Sequence, residues 1–98
     1  MYARLSRFAG LPPERLEETI REFQEKQLPA IEAQSGFAGF FLGVDYGGGR
    51  AAAISLWESK DALEASDRVA AQARDQAAET AQAPGEPIVD QYEVVIRK

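Results

Sequence analysis

The chain has 98 residues, a formal net charge of −5, and neither cysteine nor histidine. This length allows one domain over residues 1–98, and the acidic balance excludes nucleic acid as a partner, because phosphates require a basic stripe. Without cysteine or histidine the chain has no disulfide, no thiol nucleophile and no imidazole ligand, so we expect neither a metal nor a cofactor.

We expect a cytoplasmic protein that has no membrane partner. No apolar run of the sequence approaches the roughly 18 residues of a membrane-spanning helix. The first ten residues, MYARLSRFAG, lack the apolar centre of a signal peptide.

The first part of the chain predicts a strand followed by a long, interrupted helix. Residues 2–8 alternate loosely between apolar and polar side chains, which is typical of a strand. The proline pair at 12–13 suits the first turn of a helix, whose apolar stripe continues to Ile31. We expect Pro29 to kink this helix or to end its first section at Leu28, because proline cannot donate the helical hydrogen bond.

The second part predicts a hairpin, another helix and a final strand. Residues 37–46 and 50–58 are two strands joined by a turn of three glycines. Ser59 is a good N-cap for a helix from residue 60 to about residue 82, and residues 88–98 are the last strand. This order is that of the ferredoxin-like βαββαβ plan, an α+β fold with an antiparallel sheet and both helices on one face.

Both faces of the predicted sheet are apolar, which indicates a homodimer. The third strand places Ile54 and Leu56 on one face and Ala53 and Trp57 on the other, whereas a face in water would be polar. A bare second face would expose several hundred Å² of apolar surface, which is unusual for a monomer. We therefore expect a second copy to cover it, giving a dimeric α+β barrel; the alternative is a monomer with an apolar open face.

Three stretches of the sequence resemble the antibiotic biosynthesis monooxygenase (ABM) type of dimeric α+β barrel protein. They are LPAIEAQSGFAGFFLGVD at 28–45, AISLWES at 53–59 and DALEAS at 61–66. The resemblance implies a site for a small hydrophobic or aromatic compound between each sheet and its own helices, with the tryptophan on the inner wall. Four residues of the third strand would then face the helices: Ala51, Ala53, Ser55 and Trp57. Ile54 and Leu56 would face the partner subunit.

The chain departs from the polar residues of the resembled enzymes. The quinone-forming oxygenases of the family have an asparagine at the position of Ala53. They also have a tyrosine early in the following helix, close to the position of Leu63 in this chain. The haem-degrading relatives need a histidine. The resemblance thus implies one of two functions. One is a cofactor-independent monooxygenase that holds its substrate phenol with other groups. The other is a non-enzymatic ligand-binding or structural dimer.

Small side chains on the predicted layers indicate a pocket. The second helix presents Ala70, Ala73 and Ala77 towards the alanines of the third strand, so the layers either close tightly or leave a space. The candidate pocket residues are Trp57, Ser55, Phe41, Leu63, Ser66, Arg4 and Tyr92. No catalytic residue is assigned.

Several of these candidates have structural alternatives. Trp57 and Phe41 could roof the pocket, but Trp57 could equally be core packing. Arg4 is a buried charge that needs an anion if its face points inward; we favour the alternative that it reaches the sheet edge. Tyr92 could orient a substrate hydroxyl or lie between two sheets. The hairpin register decides, since a slip of one residue reverses the faces.

Overall fold

A computed structural model describes the whole chain from Met1 to Lys98 as four antiparallel strands with helices packed on one face. The elements are β1 (Tyr2–Phe8), α1 (Pro13–Glu22), a π-helical turn (Phe23–Gln27), α2 (Leu28–Glu32), β2 (Phe37–Asp45), β3 (Arg50–Trp57), α3 (Lys60–Ala65), α4 (Asp67–Ala81) and β4 (Ile88–Glu93). The strand order is β2-β3-β1-β4. The predicted ferredoxin-like α+β plan is therefore confirmed. None of the helices combines the length and apolar character that crossing a bilayer requires.

The interruption of the first helix lies just before Pro29, close to where the sequence predicts it. A π-helical turn precedes the proline, and the Leu28 N–H donates to the Phe23 carbonyl five residues back. In a regular α-helix, Ile31 would be rotated about 80° away from Phe23, eight residues earlier. Because the wider turn absorbs most of this rotation, Phe23 and Ile31 pack in the same core cluster.

The second predicted helix is divided at Ser66. Ser59 caps its start as expected, since the Ser59 hydroxyl oxygen accepts a hydrogen bond from the Ala62 N–H at 3.1 Å. At the division, the Ser66 hydroxyl donates to the Leu63 carbonyl at 2.7 Å. This side-chain bond competes with the helical ladder and explains why α3 ends and α4 begins there.

The β2–β3 hairpin, whose register the sequence leaves open, contains an irregularity. Phe37 pairs with Trp57 and Gly39 with Leu56, so Ala38 is an extra residue on β2. From Gly39 onward this bulge reverses which side chains face the helices. Phe41 is consequently opposite Ile54 on the open face.

The last strand is shorter than the predicted range of 88–98. It ends at Glu93, although the Val94 N–H still donates to the Met1 carbonyl at 2.8 Å. The neighbouring strand β1 begins at Tyr2 and offers no further backbone partners. Strand β4 therefore ends where its neighbouring strand β1 ends.

Candidate functional site

The inner face of the sheet, which packs against the helices, changes character from one end to the other. Trp57 lies at the end of this face that is far from the β2–β3 turn, beside Tyr2 of β1 and Phe37 of β2. The middle rows bring together Arg4, Ser6 and Ser55, and Ser55 is opposite Phe40. The hairpin end carries small residues, Ala51 and Ala53, with Phe8, Leu42 and Val44 beside them.

Trp57 is part of the hydrophobic core. Its side chain is 0% exposed and packs with Ile31, Leu63 and Ala73. Its ring meets the ring of Phe37 edge-on at a centroid distance of 5.7 Å. Trp57 lines neither of the two cavities described below, so it packs as a core residue, and its part in a binding site stays a prediction.

An apolar cavity of about 60 Å³ lies between the sheet, α1 and α4. Its lining consists of Phe8, Leu11, Leu16, Thr19, Ile20, Phe23, Leu42, Val44, Ala51, Ala53, Ala77 and Ala81. The hydroxyl of Thr19 already donates to the Arg15 carbonyl at 2.7 Å. The cavity exists because alanines of β3 face alanines of α4. Of the two outcomes that the small side chains allow, the layers therefore leave a space.

A smaller cavity of about 30 Å³, which we call the polar cavity, lies over the middle of the sheet. Its lining consists of Arg4, Ser6, Phe23, Ile31, Phe40, Ala53, Ser55, Ala70, Ala73 and Arg74. Phe23 and Ala53 also line the apolar cavity, so the two spaces are neighbours. The rings of Phe23 and Phe40 stack at 5.4 Å on this boundary.

Arg4 is buried, which corrects the expectation that it reaches the sheet edge. Its side chain is 3% exposed and forms an ion pair with Asp67 of α4. Its guanidinium also donates to the Ser66 hydroxyl oxygen at 3.1 Å and to the Leu63 carbonyl at 2.8 Å. These partners compensate for the loss of water around a buried charge. The guanidinium carbon lies 6.0 Å from the centre of the Trp57 ring.

Arg74 is the functional candidate that the sequence analysis missed. Its Nη1 atom is buried and has no hydrogen-bond partner. Burial lowers the pKa of its guanidinium, and the positive charge of Arg4 lowers that pKa further. The signal that could have identified it is the spacing from Ser66 and Ala70, because residues four apart share a helix face.

The structure brings five of the seven predicted site residues to the inner side and places two elsewhere. Arg4, Ser55, Trp57, Leu63 and Ser66 are buried between the sheet and the helices. Phe41 is 60% exposed on the open face, so its predicted place in the roof of the pocket is wrong. Tyr92 pairs with Ala3 opposite Leu56 and is 54% exposed on the same open face. Tyr92 therefore does not reach the inner side, and its position between two sheets stays a prediction.

Three solved structures illustrate which proteins share this fold. The monooxygenase ActVA-Orf6 of Streptomyces coelicolor, in complex with nanaomycin D, is 14% identical, with a TM-score of 0.73 over 99% of this chain and 92% of that one. SnoaB, a cofactor-independent oxygenase from Streptomyces nogalater, is 18% identical, with a TM-score of 0.65 over 98% and 94%. NE2512 from Nitrosomonas europaea, of unknown function, is 19% identical, with a TM-score of 0.73 over 99% and 91%.

No family model and no curated protein sequence matches the chain. At the identities of the structural neighbours, what is shared is the fold. The predicted resemblance to the ABM type is therefore confirmed at the level of the fold, and the activity is addressed next.

Proposed function

We propose that this protein is a cofactor-independent oxygenase of the ABM type that acts on a reduced aromatic compound. The observation that carries this proposal is the apolar cavity between the sheet and the helices, in a fold shared with two oxygenases. The rings of Phe8 and Phe23 supply aromatic walls for a flat substrate. Leu42 of the edge strand lines the cavity and is 37% exposed, so this side of the wall borders solvent. Since about 60 Å³ is less than a tricyclic substrate occupies, binding requires the cavity to widen on this side.

The proposed chemistry requires little from the protein beyond binding. An anthrone can reduce dioxygen with its own electrons: its CH₂ group becomes a carbonyl, one oxygen atom enters the product and the other leaves as water. The protein holds the substrate in an apolar space and excludes water from it. Neither histidine nor cysteine is needed for this sequence of events.

We also propose that the functional unit is a homodimer that buries the open face of the sheet. Phe41, Ile88 and Tyr92 lie on this face and are each more than half exposed. Covering such side chains contributes about 25 cal/mol for each Å² of apolar surface removed from water. An Arg7–Asp90 ion pair at 3.3 Å connects β1 and β4 on the same open face.

Oxygen consumption in the presence of anthrones and hydroquinones tests the proposed activity. We expect the native protein to consume oxygen faster than the spontaneous reaction does. Heat-denatured protein is the control and should leave the spontaneous rate unchanged. Ala77→Leu, which fills the apolar cavity, should abolish the acceleration, whereas Ala65→Leu on an exposed position of α3 should retain it. If no compound is consumed faster with native protein, the oxygenase proposal is wrong, and the result supports the alternative of a non-enzymatic ligand-binding or structural dimer.

A further inference from the structure

Two arginines, Arg4 and Arg74, belong to the lining of the polar cavity, and no carboxylate residue does. Outside the lining, the charges of Asp75 and Asp67 raise the pKa of the Arg74 guanidinium, while burial and the charge of Arg4 lower it more. Asp67, outside the lining, pairs with Arg4 and also accepts a hydrogen bond from Gln91 at 3.3 Å. Arg74 retains a buried N–H group without any acceptor. A buried donor left unpaired is costly, and more so on a charged group.

The hydroxyl groups in the cavity add further donors. The Ser55 oxygen accepts the Trp57 indole N–H at 2.9 Å, which leaves the Ser55 hydroxyl hydrogen free to donate. Ser6, which pairs with Ala53 on β3, is also buried and lines the cavity. The lining therefore combines arginine and serine donors with apolar side chains, and the buried Nη1 group of Arg74 is the donor that lacks an acceptor.

The size and position of the cavity indicate what kind of anion it takes. A space of about 30 Å³ holds one or two water molecules, or the head group of a ligand, but not a whole aromatic molecule. Because it adjoins the apolar cavity at Phe23 and Ala53, a ligand could place its head group in one space and its ring system in the other. The apolar cavity, at about 60 Å³, must widen to admit a ring system.

We propose that the polar cavity binds the carboxylate of an aromatic acid whose apolar body occupies the neighbouring apolar cavity. A carboxylate is planar, ionised at neutral pH and accepts several hydrogen bonds, which matches guanidinium and hydroxyl donors. A phenol with an ordinary pKa of about 10 is mostly neutral at pH 7 and brings no charge. The inference rests on the proposed function in one respect: it places the apolar body of the ligand in the apolar cavity.

Isothermal titration calorimetry with 2-naphthoate and naphthalene-2-carboxamide tests this proposal, because the two compounds share a shape and differ in charge. We expect the native protein to bind the acid about tenfold more tightly than the amide, as charged hydrogen bonds predict. Arg74→Gln should remove about this factor for the acid and leave the amide unchanged. Arg68→Gln, at an exposed position on the same helix, is the matched control and should behave as the native protein.

Equal affinity for acid and amide, or no measurable binding of the acid, would overturn the proposal. So would an equal effect of Arg74→Gln on both compounds. These outcomes are independent of oxygen consumption: a protein that oxidises anthrones without discriminating acid from amide retains the proposed function and loses the carboxylate site. A protein that binds the acid more tightly than the amide but does not oxidise anthrones retains the carboxylate site and loses the proposed function.

Thermal unfolding of Arg74→Met is a second measurement that does not depend on calorimetry. Without ligand, this variant should unfold at a higher temperature than the native protein, because it removes a buried unpaired donor on a charged group that burial disfavours. Saturating 2-naphthoate should raise the unfolding temperature of the native protein more than that of the variant. A lower unfolding temperature for ligand-free Arg74→Met would contradict the proposed anion site.

Discussion

Trp57 donates its indole N–H to the hydroxyl oxygen of Ser55, two residues earlier on the same strand, at 2.9 Å. The polar atom of the largest core side chain is therefore satisfied without a ligand. This bond also orients the Ser55 hydroxyl at the edge of the polar cavity. The tryptophan thus contributes to the site through its neighbour rather than as a wall.

Ser55→Ala is expected to destabilise the fold by about 1–2 kcal/mol, because it leaves a buried N–H without an acceptor. For a chain of this size each 1 kcal/mol lowers the unfolding temperature by about 4–8 °C. In a Trp57→Phe background, which has no indole N–H, the same substitution should cost much less. Thermal unfolding of the four proteins measures the coupling. An equal loss in both backgrounds would mean that the hydrogen bond is energetically unimportant.

Phe41→Asp is expected to convert the proposed dimer into single chains, because it replaces an exposed apolar side chain on the edge strand of the open face by a charge. Sedimentation velocity at micromolar concentration measures this change. Gln72→Asp, at an exposed position of α4, introduces the same charge on the helical side and should leave the dimer intact. If the native protein already sediments as a monomer, the dimer proposal is wrong.

Gly36→Ala is expected to cost at least about 2 kcal/mol of stability, from left-handed backbone strain and overpacking together. Gly36 has a φ of +82°, and an added Cβ would lie 2.4 Å from the Cβ of Ala62. Gly85→Ala is the control, since nothing lies within 4 Å of a Cβ there and φ is not in the left-handed region. Urea unfolding distinguishes the two variants, and similar midpoints for both would contradict the close approach of Gly36 to α3.

Asp45 is expected to titrate at a lower pH than an ordinary aspartate. Hydrogen bonds from the Arg50 guanidinium, and then from the Gly48 N–H, lower the pKa of this carboxyl. Because the folded pKa lies below the unfolded value of about 3.9, the carboxylate stabilises the fold above that pH. This stabilisation is lost as the pH falls through the folded pKa. Carboxyl ¹³C NMR measures the titration; Arg50→Gln should raise the pKa, and an unchanged value would show that the ion pair is not formed.

Local chemistry determined much of the fold. Pro29 located the irregular turn, and Ser59 determined the start of the second helical segment. The alternating strands predicted the element order, with the first three strand bounds within one residue of those observed. These features depend on backbone geometry and hydrogen bonds among residues close in the chain, so the sequence contains their causes in short windows.

Contacts between distant residues determined the site, and only the tertiary structure shows them. The extra residue at Ala38 moved Phe41 to the open face, because one residue of register reverses every side chain that follows. Arg4 is buried because Asp67 and Ser66, some sixty residues later in the chain, form an ion pair and a hydrogen bond with its guanidinium. Arg74 joins it because two elements that are far apart in the chain enclose one cavity. The balance of charge in that cavity depends on which groups meet across the layers, and no local pattern in the sequence records it.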